Sequence, residues 1–548
     1  MARVALFAGA AMSLNLLIGN AGLISVGQGI FLGLGAYTVA VANIKYGLSF
    51  TEGAVLAMLL SVAAGCLVAA IALRARALFF ALLTLAIAQV FYVVAARNYD
   101  LTGGDDGLVG IAVPDWLDSE AAQYLASVGG TTLVCVLLLL LLASPFGATL
   151  RAVRDNPDRV ASLGGNPKLY EFSAFVIAGL LATFVGIMAA AVNRSVEPGM
   201  ISWTTGTELL VMVALGGRST FLGPIAGAIL LEFGRSTVQR YSTPCGSRRR
   251  SDRDRLRDLP PGGPRRSTEG RRCAAGTTIR SRSRAGTGGR GEGCPLSDSQ
   301  TIPALEATGL KKSFGSFAAV RDASVIVRPG EIVAIIGPNG AGKTTFFDLL
   351  TGRKAPDAGR VKLFGHEVTR LPPWRRVRLG LGRSFQVSSV FGSLSALENV
   401  QIGIALARRR AWHLTGLASH RYRKDAEALL EQVGLADRMS RAASELSHGD
   451  QRSLELAVAL SSDPKILLLD EPTAGMGVAE TEECLNRIST ITRQGQIPVL
   501  FVEHDMSVVF SFATRVVVLA AGEVLMSGSP AEVRGDERVR EVYFGEEL

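Results

Sequence analysis

Charged residues are scarce in this chain of 548 residues. Asp, Glu, Lys and Arg make up 19% of the sequence, against 48% hydrophobic residues, whereas a soluble globular protein usually carries about 25% charge. The mean hydropathy is +0.30. The composition excludes a wholly soluble chain and predicts a large membrane-embedded part.

Paired cysteines are also lacking. The six cysteines are scattered, with neither a Cys-x-x-Cys pair nor a histidine at ligand spacing. This pattern excludes a disulfide scaffold and offers no zinc site. We expect no cleaved signal peptide, because no polar boundary closes the first apolar stretch and further apolar runs follow.

Long apolar runs fill the first 235 residues. The first run, 4–44, is long enough for two passes, and each later run is close to the ~20 residues that cross a bilayer as a helix. The later runs are 53–73, 77–96, 125–143, 172–192 and 209–231. They predict an all-α polytopic membrane domain over 1–235 with about six or seven helices. The alternative, buried helices of a soluble protein, is disfavoured by the number of such runs.

Loop charges predict the orientation of these helices. Loops 74–76 and 151–168 are basic, whereas loop 97–124 is mostly acidic. Basic loops stay in the cytoplasm, so run 209–231 is expected to lead inward and everything after Glu232 to be cytoplasmic. Glycines interrupt the first run, which indicates either close helix packing or a broken helix that lines a solute path. The candidate lining residues are Asn15, Asn20, Ser25 and Gln28.

Residues 236–300 have a different composition, rich in Arg, Gly, Ser and Pro. Residues 241–300 contain fourteen Arg, no Lys and six acidic residues, so they hold most of the chain's formal net charge of +9. With only five large apolar side chains, this stretch cannot bury enough surface to offset the entropy of ordering it. We expect a disordered linker in preference to a tract that binds nucleic acid or anionic lipid. Interleaved aromatic residues are missing, so no nucleic-acid partner is expected.

The sequence from Ile302 onward alternates short apolar strands with charged helical stretches, which is typical of a soluble α/β domain. Ile332–Ile336 leads into Gly-Pro-Asn-Gly-Ala-Gly-Lys-Thr, which matches the phosphate-binding pattern GxxxxGK[ST]. Backbone N–H groups of such a loop surround phosphate oxygens, Lys343 reaches the β- and γ-phosphates, and Thr344 can ligate Mg²⁺. The predicted nucleotide-binding residues are Gly337, Pro338, Asn339, Gly340, Ala341, Gly342, Lys343, Thr344 and Thr345.

A second motif places two carboxylates at the end of the apolar strand Ile466–Asp470. An Asp at the carboxyl end of a strand is where P-loop enzymes hold Mg²⁺. The next residue, Glu471, is placed to polarise an attacking water as a general base. We therefore predict that Asp470 binds the metal and that Glu471 is catalytic.

Glu445-Leu-Ser-His-Gly-Asp-Gln-Arg452, about twenty residues before this strand, resembles the signature of ATP-binding cassette (ABC) ATPases. The resemblance implies an α/β P-loop domain over 301–548 with ATP and Mg²⁺ as cofactors. It also implies a head-to-tail dimer, in which Ser447 and Gly449 contact the γ-phosphate held by the opposite subunit. Further positions match the family: Phe314 would stack on adenine, Gln386 would ligate Mg²⁺ and act in catalysis, and His504 would be the catalytic switch histidine.

Two positions depart from the general ABC pattern. His448 replaces the second signature glycine, and the segment after Glu471 lacks the Asp common in the D-loop. Cassettes of branched-chain amino acid importers resemble this variant. The D-loop contacts between subunits are therefore left open.

Residues 1–235 resemble the permease subunit of the same importers through the segments 13–22, 33–38, 101–104 and 146–154. The chain is thus expected to be a multi-domain fusion of an all-α transmembrane permease with an ABC ATPase. The resemblance places a coupling helix around 151–165 and seats it near Gln386. The partners it implies are a second permease subunit, a second cassette, an extracytoplasmic solute-binding protein and membrane lipid.

The resemblance implies ATP-driven import of branched-chain amino acids across the cytoplasmic (inner) membrane, with the ATPase domain in the cytoplasm. Three alternatives stay open: import of urea or short amides, an ABC exporter, and a soluble regulatory ATPase that acts on nucleic acid or ribosomes. The apolar runs disfavour the last. The resemblance stops at residue 235, where such permeases continue into another apolar stretch, so 236–300 is either an evolved tether or a frameshifted permease end that joins two genes.

Overall fold

The structure, a computed structural model, describes residues 2–75, 77–241, 302–384, 389–414, 416 and 418–544. Its contacts divide the chain into one unit that comprises Met1–Glu232 and Thr301–Leu548, and another, Phe233–Gln300. The apolar helices and the α/β part therefore belong to the same unit. Most of the predicted linker, from residue 242 to residue 300, lies outside the described residues.

The first 241 residues are almost entirely helical, apart from one short antiparallel pair of strands. The helices are α1 (Ala2–Asn15), α2 (Gln28–Tyr46), α3 (Phe50–Ala72), α4 (Leu78–Arg97), α5 (Tyr99–Thr102), α6 (Glu120–Ala143), α7 (Pro145–Asp155), α8 (Pro157–Ser162), α9 (Pro167–Asn193), α10 (Trp203–Gly216) and α11 (Gly223–Tyr241). The strands β1 (Leu108–Val109) and β2 (Ser195–Val196) pair with each other.

Within the described residues, five helical segments are long and apolar enough to cross a membrane: 2–21, α3, α4, α6 and α9. The four later segments coincide with the predicted runs between residues 53 and 192. α3, α4 and α6 leave most of their apolar surface exposed in the protein, and a bilayer would cover that surface. These predicted spans are confirmed as helices.

The first apolar run is broken, as its glycines suggested. α1 continues as a π-helical turn, Leu16–Ala21, and Gly22 then adopts a left-handed φ of 71°. The chain resumes as α2 at Gln28. Close packing is present as well, because a Cβ on Gly35 would lie 2.3 Å from the Thr183 carbonyl oxygen of α9. Close packing and a helix break are therefore both present, at different positions, and the lining of a solute path stays a prediction.

The last predicted run, 209–231, does not form one inward-leading span. α10 ends at Gly216, and α11 begins at Gly223. A Cβ on Gly227 would lie only 1.9 Å from the Met212 carbonyl oxygen, so α11 packs back along α10 as a hairpin. The prediction was wrong because hydropathy reads the length of an apolar run, whereas Gly217, at φ 90°, lets the chain turn inside it.

The α/β part is built on a ten-stranded sheet, in the order β7-β6-β3-β4-β12-β11-β5-β10-β9-β8. Its strands are β3 (Leu305–Phe314), β4 (Phe317–Val327), β5 (Ile332–Ile336), β6 (Ala358–Leu363), β7 (His366–Glu367), β8 (Leu381–Arg383), β9 (Ile466–Asp470), β10 (Val499–Val502), β11 (Arg515–Ala520) and β12 (Glu523–Gly528). The helices are α12 (Lys343–Thr351), α13 (Pro373–Val377), α14 (Ala396–Ala407), α15 (Arg423–Gln432), α16 (His448–Leu460), α17 (Val478–Gly495), α18 (Met506–Phe512), α19 (Pro530–Gly535) and α20 (Glu537–Phe544).

The parallel strands β5, β9 and β10 form the buried centre of this sheet. Every residue of the three strands is buried, which is why they read as continuous apolar runs rather than as alternating patterns. The register places Val502 of β10 beside Ile335 of β5 and Asp470 of β9. The carboxyl ends of the three strands therefore meet at one edge, where ligands bind in open α/β sheets.

The close packing of α2 against α9 gives a test of the membrane fold. A Cβ on Gly186 would lie 2.0 Å from the Leu32 carbonyl oxygen, whereas a Cβ on Gly129 of α6 would meet nothing within 4 Å. We expect Gly186→Ala to lower the free energy of unfolding by about 1–3 kcal/mol or more, because backbone has to move. Gly129→Ala should leave it unchanged or raise it slightly.

Thermal unfolding of the two variants in the same detergent measures this difference. Equal midpoints for both variants would contradict the described contact between α2 and α9.

Candidate functional site

The phosphate-binding loop joins β5 to α12, as predicted. Gly340 and Gly342 adopt left-handed φ angles of 81° and 93°, and a Cβ on Gly342 would lie 2.3 Å from the Ala319 carbonyl oxygen. Only glycine fits this turn without strain. The Lys343 ammonium is buried and donates hydrogen bonds to the carbonyls of Gly337 at 2.5 Å and Pro338 at 3.0 Å. Burial lowers the pKa of Lys343, and Glu471 opposes that shift.

The acidic pair follows β9 at the same edge of the sheet. Asp470 is 4% exposed, while Glu471 has a left-handed φ of 49°. This backbone conformation is costly for a residue with a side chain, and such strain concentrates at functional positions. His504 Nε2 lies 2.9 Å from Glu471 Oε1. The structure therefore brings together the predicted general base and the predicted switch histidine.

Basic and acidic side chains surround Asp470. Burial raises the pKa of Asp470 to about 6, while Arg383 opposes that shift. The same Arg383 donates a hydrogen bond to Asp348 at 3.3 Å, and the Ser384 hydroxyl accepts one from the Asp470 backbone N–H at 3.3 Å. A carboxylate that is this costly to ionise gains from a nearby cation.

Glu503 organises the loop after the acidic pair, a role that the sequence patterns missed. Its buried carboxylate accepts hydrogen bonds from the Thr473 hydroxyl at 2.6 Å and the Thr473 backbone N–H at 3.0 Å. Its other oxygen accepts one from the His504 backbone N–H at 3.1 Å. Glu503 thus fixes both the segment after Glu471 and the histidine that touches it. A glutamate directly after the buried strand β10 was the only signal in the sequence.

The signature residues lie apart from the phosphate-binding loop. Ser447 caps the N-terminus of α16, where its hydroxyl accepts a hydrogen bond from the Asp450 N–H. Ser447 and Gly449 line a cleft of about 390 Å³. Its walls come from α16, α17, Met476 and the residues after α15, and no residue of the phosphate-binding loop lines it. The described fold therefore leaves these two motifs on separate surfaces of one chain.

The remaining sequence-predicted positions are less informative. Phe314 ends β3 and is 46% exposed, with the Lys354 ammonium 5.2 Å from its ring centre. Gln386 lies outside the described residues, between Ser384 and Ser389. Asn15 and Gln28 of the membrane part are buried, and each keeps a side-chain oxygen without a hydrogen-bond partner among the described residues. Ser25 and Asn20 lie at the break between the two helices.

The docking segment, residues 145–165, joins the membrane part to the α/β part. It comprises α7, α8 and the turn that follows. Asp155 accepts a hydrogen bond from the Ser393 backbone N–H at 3.1 Å, and Arg154 donates to the Ser393 hydroxyl at 3.0 Å. Arg353 pairs with Asp158 at 2.7 Å. The predicted coupling region is thus seated on the α/β part, beside the strand that leads toward Gln386.

Arg159 is the centre of this contact. Its side chain is fully buried, and it donates hydrogen bonds to the Arg383 carbonyl at 3.0 Å and the Glu455 carbonyl at 3.1 Å. Burial lowers its pKa to about 10, with Glu455 opposing that shift. Arg383 ends β8, and Glu455 lies in the signature helix α16. One side chain therefore links the membrane part both to the strand beside Asp470 and to the helix that carries Ser447.

Glu455 is a second residue that the sequence reasoning missed. Its carboxylate accepts a hydrogen bond from the Ser389 N–H at 2.6 Å and pairs with Arg452 at 2.9 Å. Burial raises its pKa, while Arg159 and Arg452 oppose that shift. Glu455 thus links Ser389 to the signature helix α16. No local sequence motif indicates this role.

Comparison with known proteins covers both parts of the chain. Residues 1–244 match the family described as the permease component of the branched-chain amino acid transport system, residues 320–474 match the ABC transporter family, and residues 523–548 match the branched-chain amino acid ATP-binding cassette transporter family.

Three relatives resemble the cassette part, each over 44% of this chain and 98% of its own length. The chain is 36% identical to the high-affinity branched-chain amino acid transport ATP-binding protein LivG of Escherichia coli and to its counterpart BraF of Pseudomonas aeruginosa. It is 32% identical to the lipopolysaccharide export ATP-binding protein LptB of Haemophilus influenzae. Similarity in the cassette alone therefore extends to an export system. The permease match is needed to distinguish an importer from an exporter.

The contact between Glu471 and His504 leads to the first functional test. Glu471→Gln keeps the size and a hydrogen-bonding group but removes the base, so we expect nucleotide to bind while hydrolysis slows by roughly 10²–10⁴-fold. Lys343→Ala is the matched control for binding, because it removes the cation that the phosphates need.

Nucleotide binding and phosphate release are measured on each purified variant. Hydrolysis at the wild-type rate by the Glu471→Gln variant would exclude this residue as the base.

The buried Arg159 leads to a test of coupling. Arg159→Gln removes a charged hydrogen bond, a loss of about 1.5–3 kcal/mol, so we expect solute uptake per ATP hydrolysed to fall about tenfold or more. Lys168→Gln is the matched control, since Lys168 carries the same charge on an exposed position close to the docking segment.

Uptake and hydrolysis are measured on the same vesicles, and gel filtration checks that each variant is folded. A folded Arg159→Gln variant with the wild-type ratio of uptake to ATP hydrolysis would exclude Arg159 as a coupling residue.

Proposed function

We propose that this chain, which belongs to the branched-chain amino acid ABC transporter family, imports branched-chain amino acids across the membrane with the energy of ATP hydrolysis. The membership rests on the permease match over 1–244 and on a cassette that covers nearly all of LivG. Both components lie in one polypeptide. The observation that carries the proposal is Arg159, whose buried guanidinium connects the permease part to the ATPase site.

The proposed ATP site follows the geometry at the carboxyl edge of the sheet. Residues 337–345 surround the phosphates, Lys343 neutralises the β- and γ-phosphates, and Phe314 stacks on adenine. Glu471 polarises the attacking water while His504 holds its carboxylate, which the 2.9 Å contact supports. These side chains position and orient the reactants, which is most of what phosphoryl transfer requires.

The residues at this edge fit Mg²⁺, a hard cation that prefers oxygen ligands. Asp470 offers a buried carboxylate with a raised pKa, which a cation would stabilise in its ionised form. Thr344 and Gln386 would supply further oxygens. Among the described residues no group of three or more His, Cys, Asp or Glu is placed to bind a metal, so most ligands would come from phosphate and water, as is usual for Mg²⁺. When bound, Mg²⁺ neutralises charge on the phosphates.

A second cassette is proposed as a partner, identical or paralogous. The sequence holds one phosphate-binding loop and one signature, and the signature residues face a separate cleft. A head-to-tail pair would bring Ser447 and Gly449 to the opposite ATP. A second permease subunit, an extracytoplasmic solute-binding protein and membrane lipid complete the proposed assembly.

The proposed coupling step follows from the docking segment. Closure of two cassettes around ATP moves α16 and β8, and Arg159 is bonded to both elements. The permease part therefore contacts a different arrangement of α16 and β8 in the closed state than in the open state. A ligand shifts such an equilibrium only through differential affinity for the two states, which the buried Arg159 contacts would supply.

The proposed location is the cytoplasmic (inner) membrane, with the cassette on the cytoplasmic side. The positive loop that contains Arg151, Arg154 and Arg159 supports this orientation, and the cassette sits on that loop. We propose a permease domain over 1–235 and a cassette over 301–548, with 236–300 between them.

Reconstituted vesicles test the substrate. Full-length protein with its binding protein and companion subunits should accumulate labelled leucine, isoleucine or valine only when ATP is supplied on the cassette side. The Glu471→Gln variant, reconstituted in parallel, should bind ATP without accumulation.

Uptake of urea or a short amide but of no amino acid would reassign the substrate. Efflux that needs no binding protein would reassign the chain to the exporters.

A further inference from the structure

A short segment between α14 and α15 combines exposed arginines with exposed apolar side chains. This basic-aromatic segment comprises residues 408–414, Arg-Arg-Arg-Ala-Trp-His-Leu. The three arginines are exposed, Trp412 is 39% exposed and Leu414 is 50% exposed. The segment thus combines arginines with a tryptophan and a leucine, a combination that suits the interface between a membrane and water.

The contacts of Trp412 fix the location of the segment. Its ring stacks on that of Tyr170, with 4.2 Å between the centres and 14° between the planes. The His413 carbonyl accepts a hydrogen bond from the Phe146 N–H at 3.4 Å. Tyr170 is the fourth residue of α9, and Phe146 follows α6 by three residues. The segment therefore lies at the cytoplasmic ends of two membrane helices.

The depth of this position follows from helix geometry. The uncharged part of α9 begins at Phe172, two residues beyond Tyr170, which corresponds to about 3 Å along the helix. The headgroup layer on each side of the ~30 Å hydrocarbon core is about 5–8 Å thick. Tyr170, and the Trp412 ring stacked on it, therefore lie within the headgroup layer rather than in bulk water.

The charge of the segment complements an acidic surface. Residues 408–424 contain six Arg or Lys and no Asp or Glu. Arg408 pairs with Asp425 at 2.9 Å, whereas Arg409 and Arg410 have no ion-pair partner in the part of the chain that the structure describes. Burial lowers the pKa of Arg378, and the like charges of Arg409 and Arg375 lower it further. Arg423 pairs with Glu427 at 2.7 Å, so the charge of Arg409 and Arg410 is what the described residues leave without an ion pair.

We infer that the basic-aromatic segment binds the phosphate groups of acidic phospholipids in the cytoplasmic leaflet, through Arg409 and Arg410, with Trp412 and Leu414 at the membrane interface. Trp is enriched at this level of a bilayer, and clustered arginines are attracted to anionic lipid. A protein partner, such as the second permease subunit, explains the apolar side chains less well, because it would have to bury two unpaired arginines. The inference is independent of the transported solute.

Lipid binding tests the charges. Full-length protein in neutral detergent is titrated with phosphatidylglycerol or phosphatidylcholine, and bound lipid is counted by native mass spectrometry. Each arginine near an acidic surface contributes roughly fivefold in affinity, so the variant R409Q/R410Q should bind phosphatidylglycerol about tenfold or more weakly and phosphatidylcholine equally well. The matched control K311Q/R493Q removes the same charge from exposed positions on β3 and α17 and should bind like wild type.

Two outcomes of this titration would overturn the inference. Equal affinity of R409Q/R410Q and wild type for phosphatidylglycerol would exclude the two arginines as ligands. Displacement of the lipid by excess inorganic phosphate would show a soluble-anion site instead.

A quenching experiment tests the depth separately. The protein is placed in nanodiscs of phosphatidylcholine and phosphatidylglycerol that carry a spin label on the headgroup or at mid-chain, and the emission lost in W412F isolates Trp412. We expect the headgroup label to quench this component more strongly than the mid-chain label. If neither label quenches it, a protein partner or water covers the segment and the inference fails.

Discussion

The buried guanidinium of Arg159 is the interaction on which the joint architecture depends. A cation taken out of water costs several kcal/mol unless hydrogen bonds and opposite charge compensate it. Two backbone carbonyls and the nearby carboxylate of Glu455 provide that compensation. Separation of the two parts would leave those groups unsatisfied, so the docking segment and the cassette are held as one element. In the proposed coupling, a change in the position of β8 or α16 is therefore transmitted to the permease part through Arg159.

The same network reaches the catalytic edge in two steps. Arg383, whose carbonyl binds Arg159, uses its side chain to pair with Asp348 beside Asp470. Ser384, the next residue, binds the Asp470 backbone. On the other side, the Glu455 carboxylate accepts a hydrogen bond from the Ser389 N–H, and Ser389 is the first described residue after Gln386. The docking segment and Asp470, the proposed metal ligand, are thus connected by a few buried hydrogen bonds, and such contacts shift together because a packed interior does not deform gradually.

Sequence patterns predicted correctly those elements whose structure depends on neighbouring residues in the chain. The phosphate-binding loop, the buried strand before Asp470 and the apolar helices each depend on residues close in sequence, and the structure has them where they were predicted. Arg159 was recognised only as part of a basic loop, and the roles of Glu455 and Glu503 were missed. Their partners are as much as about 300 residues away in the sequence, and no spacing rule reaches that far. The hairpin of α10 and α11 was not predicted for a related reason, because hydropathy does not detect the close approach of Gly227 to Met212.

The direction of α11 bears on the origin of residues 236–300. From Arg3 to Gly19, α1 and its π-turn extend about 24 Å, and Gly19 binds Arg154 of the docking segment. Glu232 pairs with Arg3, so it lies at the end of α1 away from the docking segment. A chain that continues from there to the cassette side has to recross the bilayer, which requires ~20 apolar residues. Residues 242–301 contain no such run. The two predicted origins of residues 236–300 differ in this requirement. An evolved tether needs such a run, whereas a frameshifted permease end implies two separately made proteins, which need none.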